Sequence, residues 1–289
     1  QTFGAPPVSS FLYGIQHNLV AIPGVTAAMV RKYPPNPTAT PKGHLDMLRQ
    51  GLRSTRTTDE AEEDDSDVPP SPRKLTPELD VVCIKIVAIS GQNHSDICGR
   101  FPLPSSKGYQ YILMMVHVDA NYIHKELMKD RSAAEFSRAY TRGIQFFTDR
   151  KLKPTVERMD NEVPEIVKGY CRREDIHLQL VAPGNHRALK AERAIKTFKN
   201  HFVATLCCTD PSFPLHLWDE LTDQAEQTLN VFRRSHLNAS ISAWAELHGP
   251  LDLDAHPLAP CGTLVVIHER ANARGTWAPH GREGFYVNG

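Results

Sequence analysis

One stretch, residues 109–208, constrains the fold more than any other, because its apolar residues change period in an ordered way. YQYILMMVHV (109–118) is a near-continuous apolar run of strand length, and YIHKELM (122–128) follows with partial alternation. Ser132 stands where a helix cap belongs. Behind it Ala134, Phe136, Ala139, Tyr140, Ile144 and Phe147 recur at helical spacing. A short strand is expected over 155–159, a helix over 163–173 and a strand over 177–182. The loop Pro183-Gly184-Asn185 leads to a long helix over 187–208, and another helix is expected over 214–234. The tail returns to strands, TLVVIHE (263–269) and GFYV (284–287). Two successive strands followed by alternating helices and strands predict an α/β layer fold with a mixed sheet. No internal repeat is visible.

The chain has 289 residues, enough for one or two domains, and equal numbers of basic and acidic side chains, 33 each. That balance hides an asymmetry. Residues 59–67 (DEAEEDDSD) hold seven acids and no base; without them 33 basic residues face 26 acidic ones. Such a run repels itself and cannot bury apolar surface, so residues 59–80, with VPPSPRKLTP inside, read as an acidic, proline-rich disordered linker. Before it, residues 1–58 read as a small module, with Thr26 capping a short helix through Tyr33 before Pro34 and Pro35. Residues 81–250 read as the main domain and 251–289 as a small β module. The longest apolar stretch, residues 81–89, contains Lys85 and is far shorter than the ~18–20 residues of a membrane span. Residues 1–20 lack the pattern of a signal peptide, and Gln1 suggests a fragment or a processed end. The six cysteines, Cys83, Cys98, Cys171, Cys207, Cys208 and Cys261, form no CxxC and no close Cys/His quartet. Reduced thiols of an intracellular protein are the expectation. No phosphate-cradling glycine loop, dinucleotide fingerprint or nucleophile elbow is present, so nucleotide hydrolases, dehydrogenases and α/β hydrolases lack support.

Three acids fall where strand and helix ends converge. Asp96 lies in NHSDICGRFP, just before the first clear strand; Asp160 ends the strand TVERMD; Glu192 lies one turn into the long helix. Sites in α/β folds gather at strand ends. Convergent carboxylates supply the oxygen ligands that Mg²⁺ prefers, and two such ions can activate an attacking oxygen and stabilise a leaving one. Each acid taken alone would be an ordinary surface carboxylate.

The same residues carry a resemblance. SDICGRFPLPSSKGYQYILMMVHVDANYIHKELMKDRSAAEF looks like the start of a retroelement integrase core of the copia type of LTR retrotransposon. RMDNE and LVAPGNHRALKAERAIKTFKNHF look like its second and third motifs. The tail GTLVVIHERANARGTWAPHGREGFYV is similar to the β module that follows such cores, and KGHLDMLRQGLRST resembles the pre-integrase region of related polyproteins. The match covers most of residues 8–58 and 94–289, with the core as its specific part. It implies a ribonuclease-H-like fold with a D, D, E metal site: Asp96, Asp160 and Glu192, holding two Mg²⁺ ions, with Mn²⁺ a possible substitute. Asp119, in VHVDANYI, competes for the first position; the SD-x-CG context favours Asp96, and a strand-end turn residue is the plain reading of Asp119. Without metal, the clustered carboxylates should repel one another. The sequence departs from the family at Asn161-Glu162, where many members have Gly third in the motif, and at residues 187–191 before Glu192. No His/His/Cys/Cys zinc module precedes the core.

Around Glu192 the helix is basic. Arg187, Lys190, Arg193, Lys196 and Lys199 recur at spacings of three, which reads as a slowly rotating stripe suited to phosphates. Leu189, Ile195, Phe198 and Phe202 mark its apolar side. Asn185 and His186, in the loop before it, join these as expected DNA contacts. A solvated helix face with Glu192 paired to Lys196 is the plain alternative. His186, His201 and His216 read as surface or helix-end residues, and Trp218, Trp244 and Trp277 as packing residues, with Trp277 also able to stack on a base. The resemblance implies metal-dependent trimming of DNA 3′ ends and strand transfer into target DNA, with double-stranded DNA as partner, homo-oligomers on that DNA, and action in the nucleus. The alternatives are a catalytically inactive nucleic-acid-binding remnant and a ribonuclease-H-type nuclease that cuts without joining.

Overall fold

A computed structural model describes residues 1–45, 90–160, 163–181 and 190–287. The acidic run 59–67, the apolar stretch 81–89, Cys83, and Asn185, His186 and Arg187 lie outside the described residues.

The centre is a five-stranded mixed sheet of β1 (Gln92–Ile97), β2 (Tyr111–His117), β3 (Tyr122–Met128), β4 (Val156–Asp160) and β5 (His177–Val181), in the order β3-β2-β1-β4-β5. β1, β2 and β3 pair antiparallel; β4 joins β1 in parallel, and β5 joins β4 in parallel. Parallel neighbours need a crossover, and α5 (Glu165–Arg173) supplies the one between β4 and β5. With helices on both faces, this is the ribonuclease-H-like core that the resemblance implied.

The two faces follow from strand alternation. Leu113 and Met115 of β2 turn to α4 (Ala133–Asp149) and α5, where Phe136, Tyr140, Ile144, Phe147 and Val167 pack on them. Ile112, Met114 and Val116 turn to α6 (Lys190–Leu206) and α7 (Thr222–Val231), against Ile195, Phe198, Phe202 and Leu229. Burying one such side chain contributes about 1.5–3 kcal/mol, so both layers are needed to hold the sheet. Ser132 caps α4 as expected, its Oγ accepting from Glu135 N at 3.3 Å. Gly143 sits where α4 crosses β2; a Cβ there would run into Met115 Sδ, which is why this helix keeps a residue that costs ~1 kcal/mol in its interior.

The expected helix over 214–234 is two elements. Leu215–Leu221 is a 3-10 helix with non-helical dihedrals at Leu217, and α7 follows. The kink lets Trp218 bury completely and donate its Nε1 to Leu103 O at 3.0 Å. A short helix α8 (Ala243–His248) follows α7, with Ser242 Oγ capping Ala245 N.

The N-terminal residues do not stand apart. Residues 1–45 and the described residues from 90 onward belong to one compact unit. They contain α1 (Val8–Gln16), α2 (Ala27–Lys32), capped by Thr26, and α3 (Ala39–His44). Phe3 and Val20 pack on Val231, and Ala5 and Ala39 on Ala204. Gly43 allows α3 to lie directly on α6: a Cβ would sit 2.6 Å from Asn200 O. At the other end β6 (Thr263–His268) and β7 (Gly281–Tyr286) form an antiparallel pair, anchored by the edge-on contact of Phe285 with Phe213 at 5.4 Å. The thiols of Cys98, Cys171, Cys207, Cys208 and Cys261 are free. Among the described residues no helix is long and apolar enough to cross a membrane.

Candidate active site

Two parallel strands bring the first two carboxylates level. β1 and β4 pair Gln92 with Val156 and His94 with Arg158, so that Asp96 and Asp160 each follow four residues after the first of these pairs. Alternation puts both on the α6 face of the sheet. Asp96 therefore lies within β1, not before the first strand as its sequence context suggested. That strand is hard to see in the sequence because its buried residues are polar: Asn93, His94 and Ser95 are all at most 2% exposed.

The third carboxylate comes with α6. Lys190 N donates to His94 Nδ1 at 3.1 Å, which ties the first turn of the helix to β1. Glu192 stands in that turn, where the helix dipole favours a negative charge. Since His94 Nδ1 accepts, its proton sits on Nε2, which is buried without a hydrogen-bond partner. Burial, then the charges of Arg158 and Lys190, lower the His94 pKa to about 4, so the ring is neutral at pH 7.

Asp96 registers the other two acids. Burial raises its pKa, and the charges of Asp160 and Glu192 raise it further; the Ile97 N–H, 2.7 Å from Oδ1, and Arg131 oppose them. The expected repulsion is thus present. Yet among the described residues no three His, Cys, Asp or Glu side chains stand close enough to ligate one ion. Residues 161–162 and 182–189, which adjoin Asp160 and α6, lie outside the described residues. The donor set, three carboxylates, has the hard-oxygen chemistry that Mg²⁺ and Mn²⁺ take.

Asp119 is elsewhere. It follows β2, at the opposite end of the sheet from Asp96, where its Oδ2 accepts from Gly91 N at 2.6 Å. Its carbonyl accepts from His236 N and Leu237 N, both at 3.0 Å. It is a turn-forming residue.

The basic stripe of α6 divides. At 3.6 residues per turn, Lys190 and Lys199, nine positions apart, point about 180° from each other. Lys199 lies by Cys98 and Gly99, toward the Asp96 end of β1, on the same flank as Glu192 and Lys196. Lys190 and Arg193 line a cavity with Val116 and Arg233 on the other flank. His201, expected at the surface, is buried between α6 and α7, with Nε2 2.9 Å from Thr228 Oγ1. His216 is exposed. Trp218 and Trp244 pack as expected, whereas Trp277 is 98% exposed.

A fourth acid escaped sequence reasoning. Glu157 of β4 points to the α4 face and is fully buried. It accepts from Asn93 Nδ2 at 2.7 Å, Ser95 Oγ at 2.8 Å and Tyr140 OH at 3.2 Å. Burial raises its pKa from 4.5 to about 7, against those three donors. The folded chain therefore holds the proton where the unfolded chain has released it. Stability from this group is full below pH 4.5 and is lost as pH rises to about 7. Glu157→Gln should flatten that loss by about 3 kcal/mol. Urea unfolding of both proteins at pH 5 and pH 8 measures it; equal slopes would refute the assignment.

No protein-family model matches the chain, and no curated protein does. Solved structures that it is similar to include retroviral integrases. One is the BIV integrase catalytic core, with TM-score 0.36 and 16% identity, covering 49% of this chain and 84% of that one. A second is the HTLV-2 integrase catalytic core in complex with magnesium, in its dimeric form, with TM-score 0.39 and 18% identity over 56% of this chain and 97% of that one. A third is the simian T-cell lymphotropic virus intasome in complex with PP2A regulatory subunit B56 gamma, with TM-score 0.44 and 15% identity over 70% of each chain.

Proposed function

We propose that this chain is the integrase of a copia-type retrotransposon, a polynucleotidyl transferase that trims element DNA ends and joins them to target DNA. What supports the reading is that register and alternation set Asp96 and Asp160 on the α6 face at the β1/β4 ends, with the charges of Asp160 and Glu192 both acting on Asp96. The motifs around these residues resemble that family in the same order. Asp96, Asp160 and Glu192 would hold two Mg²⁺ ions, or Mn²⁺. Such ions, when bound, supply activation of an oxygen nucleophile and charge stabilisation of the leaving oxygen. The chain's own residues do the placing. His94, neutral and bonded to Lys190 N, fixes α6 over β1 and with it Glu192. Lys196 and Lys199, on the Glu192 flank, neutralise backbone phosphates without reading sequence. Asn185, His186 and Arg187 belong to the same DNA surface in this reading. Homo-oligomers on double-stranded DNA and action in the nucleus belong to the proposal as well.

A second reading, an inactive nucleic-acid-binding remnant, draws on the absence of a ligating trio among the described residues. A strand-transfer assay with purified protein, labelled element-end duplex, target plasmid, and Mg²⁺ or Mn²⁺ against EDTA decides. Joined products that appear only with metal are expected. DNA binding with neither cutting nor joining would leave the remnant reading, and cutting without joining would mark a nuclease.

A further inference from the structure

On the flank of α6 away from Glu192, the N-terminal segment, α6 and the end of α7 border a half-open cavity of about 630 Å³. Tyr13, His44, His201, Phe232, Arg233 and Arg234 are in its wall. A second cavity, about 340 Å³, shares Asn121, Thr197, Arg233 and His236 with it and extends to Lys190 and Arg193. Four guanidinium or ammonium groups thus line the joined space, and among the described residues no carboxylate lines either part. In a chain with as many acids as bases this is a local excess of charge.

Lys190 and Arg193 are exposed at the rim, whereas Arg233 and Arg234 are half-buried and held in place. Arg233 Nε donates to Asn121 O at 2.8 Å, and its Nη2 donates to Asn121 Oδ1, both neutral acceptors. Burial lowers its pKa to about 10, with no opposing acid among the described residues. Arg234 packs over the Tyr13 ring, 5.3 Å from its centroid, and its Nε is buried without a hydrogen-bond partner. His44 Nε2 is buried without one as well. Cations partly withdrawn from water are ordinarily paired with an anion, because desolvating a charge without a partner is costly. Here the described chain provides none. The volume lies in the range of small-ligand sites, far above what a single water needs.

We propose that the joined cavities bind a phosphate-bearing anion of the size of a nucleoside polyphosphate or a phosphorylated DNA end, with Arg233 and Arg234 as its counter-charges and Lys190 and Arg193 at the second mouth. Planar guanidinium groups match phosphate oxygens two at a time, and a row of four cations suits several phosphates better than one carboxylate. The site lies across α6 from the carboxylates and does not rest on the integrase reading.

Calorimetric titration of the full chain with inorganic tripolyphosphate, at ionic strength held constant with NaCl, tests this. Saturable binding near one per chain and a raised Tm are expected. Arg234→Gln and Arg193→Gln should each weaken binding at least about tenfold. Arg233→Gln also loses its bonds to Asn121 and can misfold, so the other two variants carry the test. Arg172→Gln, on α5 across the sheet, removes the same charge and should leave binding unchanged. Competition with ATP, and with an oligonucleotide with and without a 5′-phosphate, identifies the source of the phosphate. Displacement by ATP alone means a free nucleotide, and displacement only by the phosphorylated oligonucleotide means a DNA end. Absence of saturable binding at millimolar tripolyphosphate would overturn the proposal. So would equal weakening by Arg172→Gln, which would mean general electrostatic attraction.

Discussion

Asp160→Asn should lose metal-dependent strand joining by about a hundredfold or more while folding normally. Partners one step removed from a metal already cost about 10–100-fold when replaced, so a direct ligand, the role proposed for Asp160, belongs at or beyond the upper end. The substitution keeps the shape of the side chain and removes one of the two acidic charges that act on Asp96. The Asp96 pKa should therefore move down toward the ordinary value, which carbon-detected NMR titration of the metal-free protein can follow. Asp119→Asn is the matched control. Its carbonyl oxygen can still accept from Gly91 N, at the far end of the sheet, so joining should stay near the wild-type rate. Stability should change by no more than about 1 kcal/mol. If Asp119→Asn lost joining and Asp160→Asn kept it, the site would have to be placed at the other end of β1.

What could be read in the sequence was whatever is written in apolar periodicity. The run at 122–128 is β3 to the residue, and the spacing from Phe136 to Phe147 gives the buried face of α4, while Ala134, read with it, is exposed. β1 carries no such signal. Its inward residues bond to Glu157 on one face and to the first turn of α6 on the other. A strand built on polar partners looks like a loop until the partners are known. Asp96 stands out in the sequence by its place before the first clear strand and by its resemblance to a family motif, not by any periodicity of β1. The sense of the basic stripe was half legible: spacings of three keep neighbours close but turn the ends of a nine-residue span to opposite flanks. That is how Lys190 and Arg193 part from Lys199. Burial of His201 depends on α7 and Gly4 lying against α6, contacts set by residues far away in the chain. Trp277 fails in the other direction: its side chain is exposed at the tip of the β6–β7 pair, with no core beneath it.

The same limit hides how the sheet ends. β3 is an edge strand, and edge strands present unpaired N–H and C=O groups that invite aggregation. α7 closes this edge with two side chains one turn apart. Asn230 accepts from Ile123 N at 2.9 Å and donates to Ile123 O at 2.8 Å, copying a neighbouring strand. Glu226 accepts from Lys125 N at 3.2 Å, from Tyr122 OH at 2.9 Å and from His124 Nδ1 at 2.8 Å. The match is geometric: four residues of helix rise about 6 Å, and two residues of strand nearly 7 Å. Burial would raise the Glu226 pKa, but the charge and hydrogen bond of His124, with Lys125 and Tyr122, hold it down to about 2. Its contribution is therefore present above about pH 4.5 and fades as pH falls toward 2. Glu226→Ala removes one of the two acids on each of His124 and Lys125, leaving Glu126 and Asp223, and should cost about 1.5–3 kcal/mol at pH 7. Asn230→Ala frees both groups of Ile123 and should cost about 2–4 kcal/mol, with concentration-dependent self-association as the edge opens. Urea midpoints and light scattering measure both. Losses below about 1 kcal/mol in both variants, with no association, would mean that water or another segment already satisfies the edge, and that α7 is held by the apolar contacts of Ala225 and Leu229 alone.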